Sequence, residues 1–97
     1  MDFSKIDEEM GFSGIQLAEQ SLFVDTFRKF EEMTWAQIHT DNGLDYKMYH
    51  ETISMAYRNV KTYKFRVSQK FRCHGYREKD LFVVICFETD HKLSDRG

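Results

Sequence analysis

The spacing of apolar residues changes along this chain, from a period of about 3.6 in the first half to 2 in the second, so both helices and strands are required of it. From about Ile15 to Met33, Leu22, Phe23, Phe27 and Phe30 recur at helical spacing, with Glu19, Asp25, Arg28, Lys29, Glu31 and Glu32 on the remaining faces. This predicts an amphipathic helix. Thr34-Trp35-Ala36-Gln37 fits a capping box and Asp41-Asn42-Gly43 a turn, which together bracket a short second helix carrying Trp35 and Ile38. Residues 47–58 are expected to form a third short helix through Tyr49, Ile53 and Ala56 or Tyr57, and the first dozen residues read as an arm.

Beyond that point Tyr63, Phe65 and Val67 alternate with Lys64, Arg66 and Ser68. Phe71, Cys73 and Gly75 alternate with Arg72, His74 and Tyr76, and Leu81 to Phe87 is an unbroken apolar run. These are three strands of an antiparallel meander over residues 62–90. Demanding one consistently apolar face selects a three-residue loop at Ser68-Gln69-Lys70, which opposes Val67 to Phe71 and Arg66 to Arg72, and an even-length turn around Glu78-Lys79 that opposes Tyr76 to Leu81. One face then gathers Tyr63, Phe65, Val67, Phe71, Cys73, Gly75, Phe82, Val84 and Cys86, and needs helices above it. The other carries Lys64, Arg66, Arg72, His74 and Tyr76 beside Leu81, Val83, Ile85 and Phe87. The expected fold class is α+β: one domain over residues 1–97, mainly helical through residue 58, with its helices packed on one face of a small twisted antiparallel sheet.

At 97 residues a second core is excluded, and 15 % aromatic residues suffice for a packed core without disulfides or metal. No apolar run is long enough to span a membrane, and Met1-Asp2-Phe3-Ser4-Lys5-Ile6-Asp7 lacks the order of a signal peptide, so a cytoplasmic protein is expected. Cys73 and Cys86 form no CxxC motif and fall on the inferred core face, where thiols are usually structural. Serine-hydrolase, P-loop, dinucleotide and zincin motifs are absent. Glu88, Asp90 and His91 lack a further convergent ligand, so neither a metal nor another cofactor is expected.

The net charge of −2 hides an asymmetry, −6 over residues 1–50 and +4 over residues 51–97. Between Arg58 and Lys79, eight bases stand against Glu78 alone, the footprint of a polyanion site or of an acidic protein partner. Metal-free RNA cleavage needs proton-transfer groups and cations on the phosphorane oxygens. Arg66 and Arg72 can supply the charge, His74 and His91 the proton transfer, and Tyr76 a stacking ring or a polarising hydroxyl. Lys64, Lys70, Arg77 and Lys79 are candidates for binding the RNA backbone. Each residue also has an ordinary structural role open to it: His74 as a surface strand residue, Tyr76 packed beside Leu81, His91 ending the last strand.

The order Phe65-Arg66-Val67-Ser68, Phe71-Arg72, Gly75-Tyr76-Arg77, then an apolar strand ending in Asp90-His91-Lys92, resembles the RelE/ParE superfamily of bacterial toxin-antitoxin proteins over roughly residues 60–92. The resemblance implies helices on one side of a twisted antiparallel sheet and an RNA-cleaving face on the other, with Arg66, Arg72, Tyr76, Arg77 and His91 matching functional positions. The implied function is that of a toxin, a metal-independent endoribonuclease cleaving mRNA, on the ribosome in some relatives and held inactive by a cognate antitoxin protein. The alternative is a noncatalytic domain of the same fold whose basic sheet face binds nucleic acid or an acidic partner.

Overall fold

Helix α1 spans Leu17–Glu31 and starts at a reciprocal cap, in which the Gln16 backbone N–H donates to Glu19 Oε1 at 2.8 Å. Helix α2, Trp35–Thr40, starts at the capping box read from the sequence: Gln37 N–H donates to Thr34 Oγ1 at 3.2 Å, and Thr34 N–H donates to Gln37 Oε1 at 2.9 Å. The turn after α2 is held by Asp41, whose carboxylate accepts from the Leu44 N–H at 2.8 Å and from Lys29 Nζ at 2.9 Å. This computed structural model describes residues 1–6, 11, 15–55 and 58–89, with the backbone alone for residues 50–55 and 58–60.

Four strands follow: β1 (Lys47–Met55), β2 (Arg58–Arg66), β3 (Arg72–Glu78) and β4 (Leu81–Glu88), paired antiparallel in the order β1-β2-β3-β4. The third helix expected over residues 47–58 is therefore a strand and the start of the next one. Thr52 and Ile53 are β-branched, and a helix of this length is marginal on its own, whereas pairing with β2 gives the backbone partners along the strand. A register shift between Met48 and Thr52 hid the strand's period of two. The arm before α1 is also anchored. Asp2 bridges Val83 in parallel, its N–H donating to Phe82 O at 2.9 Å and its carbonyl accepting from Val84 N–H at 2.8 Å, while the Met1 ammonium pairs with Glu31.

The β2–β3 register agrees with the sequence expectation. Arg66 lies opposite Arg72, and Val67 N–H donates to Phe71 O at 2.8 Å across the three-residue loop. On β3–β4, Tyr76 faces Val83 rather than Leu81, because the turn is the two residues Lys79 and Asp80, with Lys79 in the left-handed region at φ 56°. A bulge then intervenes, since Gly75 pairs with Val84 but His74 with Cys86. The extra residue turns the end of β4 over. Cys86, expected in the helix-covered core, lies on the face of His74, and Phe87, expected opposite, enters the core 4.8 Å from Phe23.

Both helices pack on one face of the sheet. Phe23, Phe30 and Ile38 meet Phe65, Phe71, Cys73, Phe82, Val84 and Phe87, and the Phe30 ring lies 5.0 Å from Phe65 and 5.6 Å from Phe82. Phe27 is only partly buried, and Leu22 points to solvent. The opposite face carries a second cluster of Tyr49, Val83, Ile85 and Cys86, with Tyr76 packed against it. Among the described residues no helix is long and apolar enough to cross a membrane.

Candidate functional site

The sheet brings cations together in two neighbouring cross-strand rows on the face away from the helices. Lys47 opposes Lys64, which opposes His74; in the next row Arg66 opposes Arg72, which opposes Glu88. The sequence reading placed Lys64, Arg72 and His74 on an open face, and the structure buries all three, at 3 %, 8 % and 0 % exposure. The apolar residues of β4 and Tyr49 of β1 make this side of the sheet a second interior. Lys47 and Arg66 at the β1 side remain half-exposed and share the Asp45 carboxylate, at 3.4 and 3.6 Å. Asp45 adopts φ 47°, a conformation that a short polar side chain tolerates.

Each buried polar group has a specific environment. The Arg72 guanidinium donates to the carbonyls of Ser68, Gln69 and Phe71 at 2.7–3.2 Å, so it closes the β2–β3 loop. Burial lowers its pKa from the usual value, and the adjacent Arg66 adds to the effect. Lys64 Nζ lies 5.4 Å from the centre of the Tyr49 ring, and burial, then repulsion from Lys47, lowers its pKa below the ordinary lysine value against the opposing pull of Glu88. His74 Nε2 donates to Glu88 Oε1 at 2.8 Å, and Tyr49 stands edge-on to the imidazole at 5.2 Å. Among the described residues, His74 Nδ1 and Thr62 Oγ1 are buried without a hydrogen-bond partner.

The other predicted site residues lie elsewhere. Tyr76 is half-buried against the second cluster. Lys70 is exposed in the β2–β3 loop, whereas Lys79 is exposed in the β3–β4 turn at the opposite end of β3. Arg77 emerges on the helix side, where its guanidinium lies 4.4 Å from the centre of the Trp35 ring and its Nε donates to Lys79 O at 2.7 Å. His91 lies outside the described residues. Burial, reinforced by Cys86, pushes the Cys73 thiol well above its usual range, which makes it a poor nucleophile. No group of three His, Cys, Asp or Glu side chains converges to hold a metal among the described residues.

Lys47 and Asp45 at the half-exposed edge of this face, and Tyr49, Thr62 and Glu88 buried within it, complete the site and were not among the residues the sequence assigned to it. Lys47 and Tyr49, with Asp45 in the turn before them, required recognising β1 as a strand, and Glu88 required the bulge in β4. The sequence matches no family model, and no curated protein or solved structure matches it.

Proposed function

We propose that this chain is an RNA-binding domain of the helix-on-sheet architecture, taking the RNA backbone on the cationic rows of β1 and β2. The observation that carries this reading is the juxtaposition of two like-charged cross-strand pairs, Lys47 with Lys64 and Arg66 with Arg72. Directly opposed like charges destabilise a sheet by roughly 0.2–1 kcal/mol per pair. The carboxylates beside them, Asp45 and Glu88, leave a net positive cluster, and a polyanion supplies the missing negative charge. Half-exposed Lys47 and Arg66 are the groups that touch phosphate, while Lys64 and Arg72 raise the potential from beneath. Titrating a labelled RNA oligonucleotide at several salt concentrations tests this. Lys47→Gln and Arg66→Gln are each expected to weaken binding and to reduce the slope of log affinity against log salt by about 1. Parental affinity in both variants would overturn the reading.

The His74–Glu88 hydrogen bond favours a second reading, the endoribonuclease of a toxin that an antitoxin holds inactive. A carboxylate that orients an imidazole is a recurring part of proton-transfer sites. Expression of the protein alone is then expected to arrest growth, and purified protein to cleave free RNA or mRNA on translating ribosomes. His74 has no exposed surface, so its part is to hold neighbouring groups in place, and His74→Gln should lower cleavage without changing RNA affinity. Cleavage at the parental rate would remove His74 from that role and leave His91→Gln as the next variant to assay.

A further inference from the structure

A second patch at the β1 edge, on the helix side of the sheet, is built of aromatic rings. Tyr46 stacks on Tyr63 with ring centres 5.4 Å apart and planes 10° from parallel. Trp35 and His39 pack against Tyr46 at 5.8 and 5.1 Å, at steep angles. Tyr63 nevertheless keeps 36 % of its surface open, and Met48, opposite it on β1, keeps 50 %. Cations stand at one end of these rings. Lys61 is two residues before Tyr63 on β2, and Arg77 two residues after Gly75, the partner of Tyr63, so both lie on the side of Tyr63. Both are exposed. Burial, reinforced by Tyr63, raises the Tyr46 phenol to about 12, so it remains a neutral donor at working pH.

Open π-surface beside cations is poor for stability and well matched to one ligand chemistry. An unpaired base has a flat face to stack on an aromatic ring, and the phosphates that join it to its neighbours carry charge opposite to that of exposed Lys61 and Arg77. A duplex offers its bases stacked and hidden. Tyr46 and Lys47 are adjacent residues whose side chains leave opposite faces of the sheet at β1, the edge strand of the described sheet. A strand of RNA lying across this edge meets rings on one side and the Lys47 and Arg66 cations on the other. We propose that Tyr63, extended by Tyr46 and Met48, is a stacking platform that makes the domain select single-stranded over duplex RNA. This rests on the RNA-binding reading and adds to it the strandedness of the ligand.

Trp35 is the chain's single tryptophan and touches Tyr46, so its fluorescence reports on the platform directly. Full-length protein would be titrated with a ten-residue oligouridine and with duplex RNA of the same length, for the parent, Tyr63→Leu, Tyr63→Trp and Arg66→Gln. The parent is expected to bind the single strand more tightly and to change its Trp35 emission on doing so. Tyr63→Leu should weaken single-strand binding about tenfold, as the loss of one stacked base does, and leave duplex binding within about twofold. Tyr63→Trp, which retains a stacking face, should restore single-strand affinity and guards against an effect of misfolding in the leucine variant. Unchanged single-strand affinity in Tyr63→Leu, with Arg66→Gln weakening both ligands, would overturn the platform and leave the cationic rows standing. Absence of binding to either RNA by the parent would overturn both.

Discussion

Lys64→Met is expected to make the protein more stable and a weaker RNA binder. Methionine retains the apolar bulk of the buried lysine stem, so the substitution isolates the charge. Directly opposed like charges across two strands destabilise by roughly 0.2–1 kcal/mol. The variant loses that repulsion from Lys47, together with the cost of keeping a charge at 3 % exposure. Against this stands the cation–π contact with Tyr49, worth about 0.5–1 kcal/mol. The pull of Glu88 and, more weakly, of Asp45 opposes the push of Arg72. A net gain of about 1 kcal/mol moves a urea midpoint, followed by Trp35 emission, up by roughly 0.5–1 M. The pH dependence has a definite sign. Because burial depresses the folded-state pKa of Lys64, the unfolded chain binds more protons between that value and the ordinary lysine value of about 10.4, and parental stability gains from this group as pH rises through the window. The variant lacks that gain, so its advantage shrinks at alkaline pH. A variant less stable than the parent at neutral pH, or an advantage that does not shrink, would show that the row of cations is not under electrostatic strain. Unchanged RNA affinity would refute its functional role.

Gly75→Ala should cost about 3 kcal/mol and lower Tm by roughly 12–20 °C, because a Cβ there would overlap the Val83 carbonyl oxygen beside the β4 bulge and lie 2.7 Å from the Phe82 ring. A loss under about 1 kcal/mol would mean that the bulge yields easily. Phe30→Ala, which removes the ring between Phe65, Phe82 and Trp35, should cost about 3–5 kcal/mol by denaturant unfolding, and a loss near zero would contradict the packing of α1 on the sheet. Absorbance titration of the five tyrosines should show one ionising near 12, a step missing in Tyr46→Phe. Since the unfolded phenol ionises first, Tyr46 makes parental stability fall between about pH 10 and 12, and the phenylalanine variant should lack that part of the fall.

Local pattern determined much of this fold. The alternation of Tyr63, Phe65 and Val67 with Lys64, Arg66 and Ser68 was enough to set the β2–β3 register, because a slip of one residue would have put a row of cations into the core. Thr34 and Gln37 marked the start of α2, since capping needs only four consecutive residues. The sequence likewise grouped Lys64, Arg66, Arg72, His74 and Tyr76 on one side of the sheet. Tertiary structure decided what sequence spacing does not encode. Residues 47–55 became a strand because β2 was available to pair with it, and a bulge of one residue in β4 exchanged Cys86 for Phe87 in the core and brought Glu88 into the row of Arg72, hydrogen-bonded to His74. The charged face became an interior because β1 contributes Tyr49 and β4 contributes Val83, Ile85 and Cys86 to the same side. Burial is a property of what packs against a residue from distant parts of the chain, and neither charge nor period carries that information.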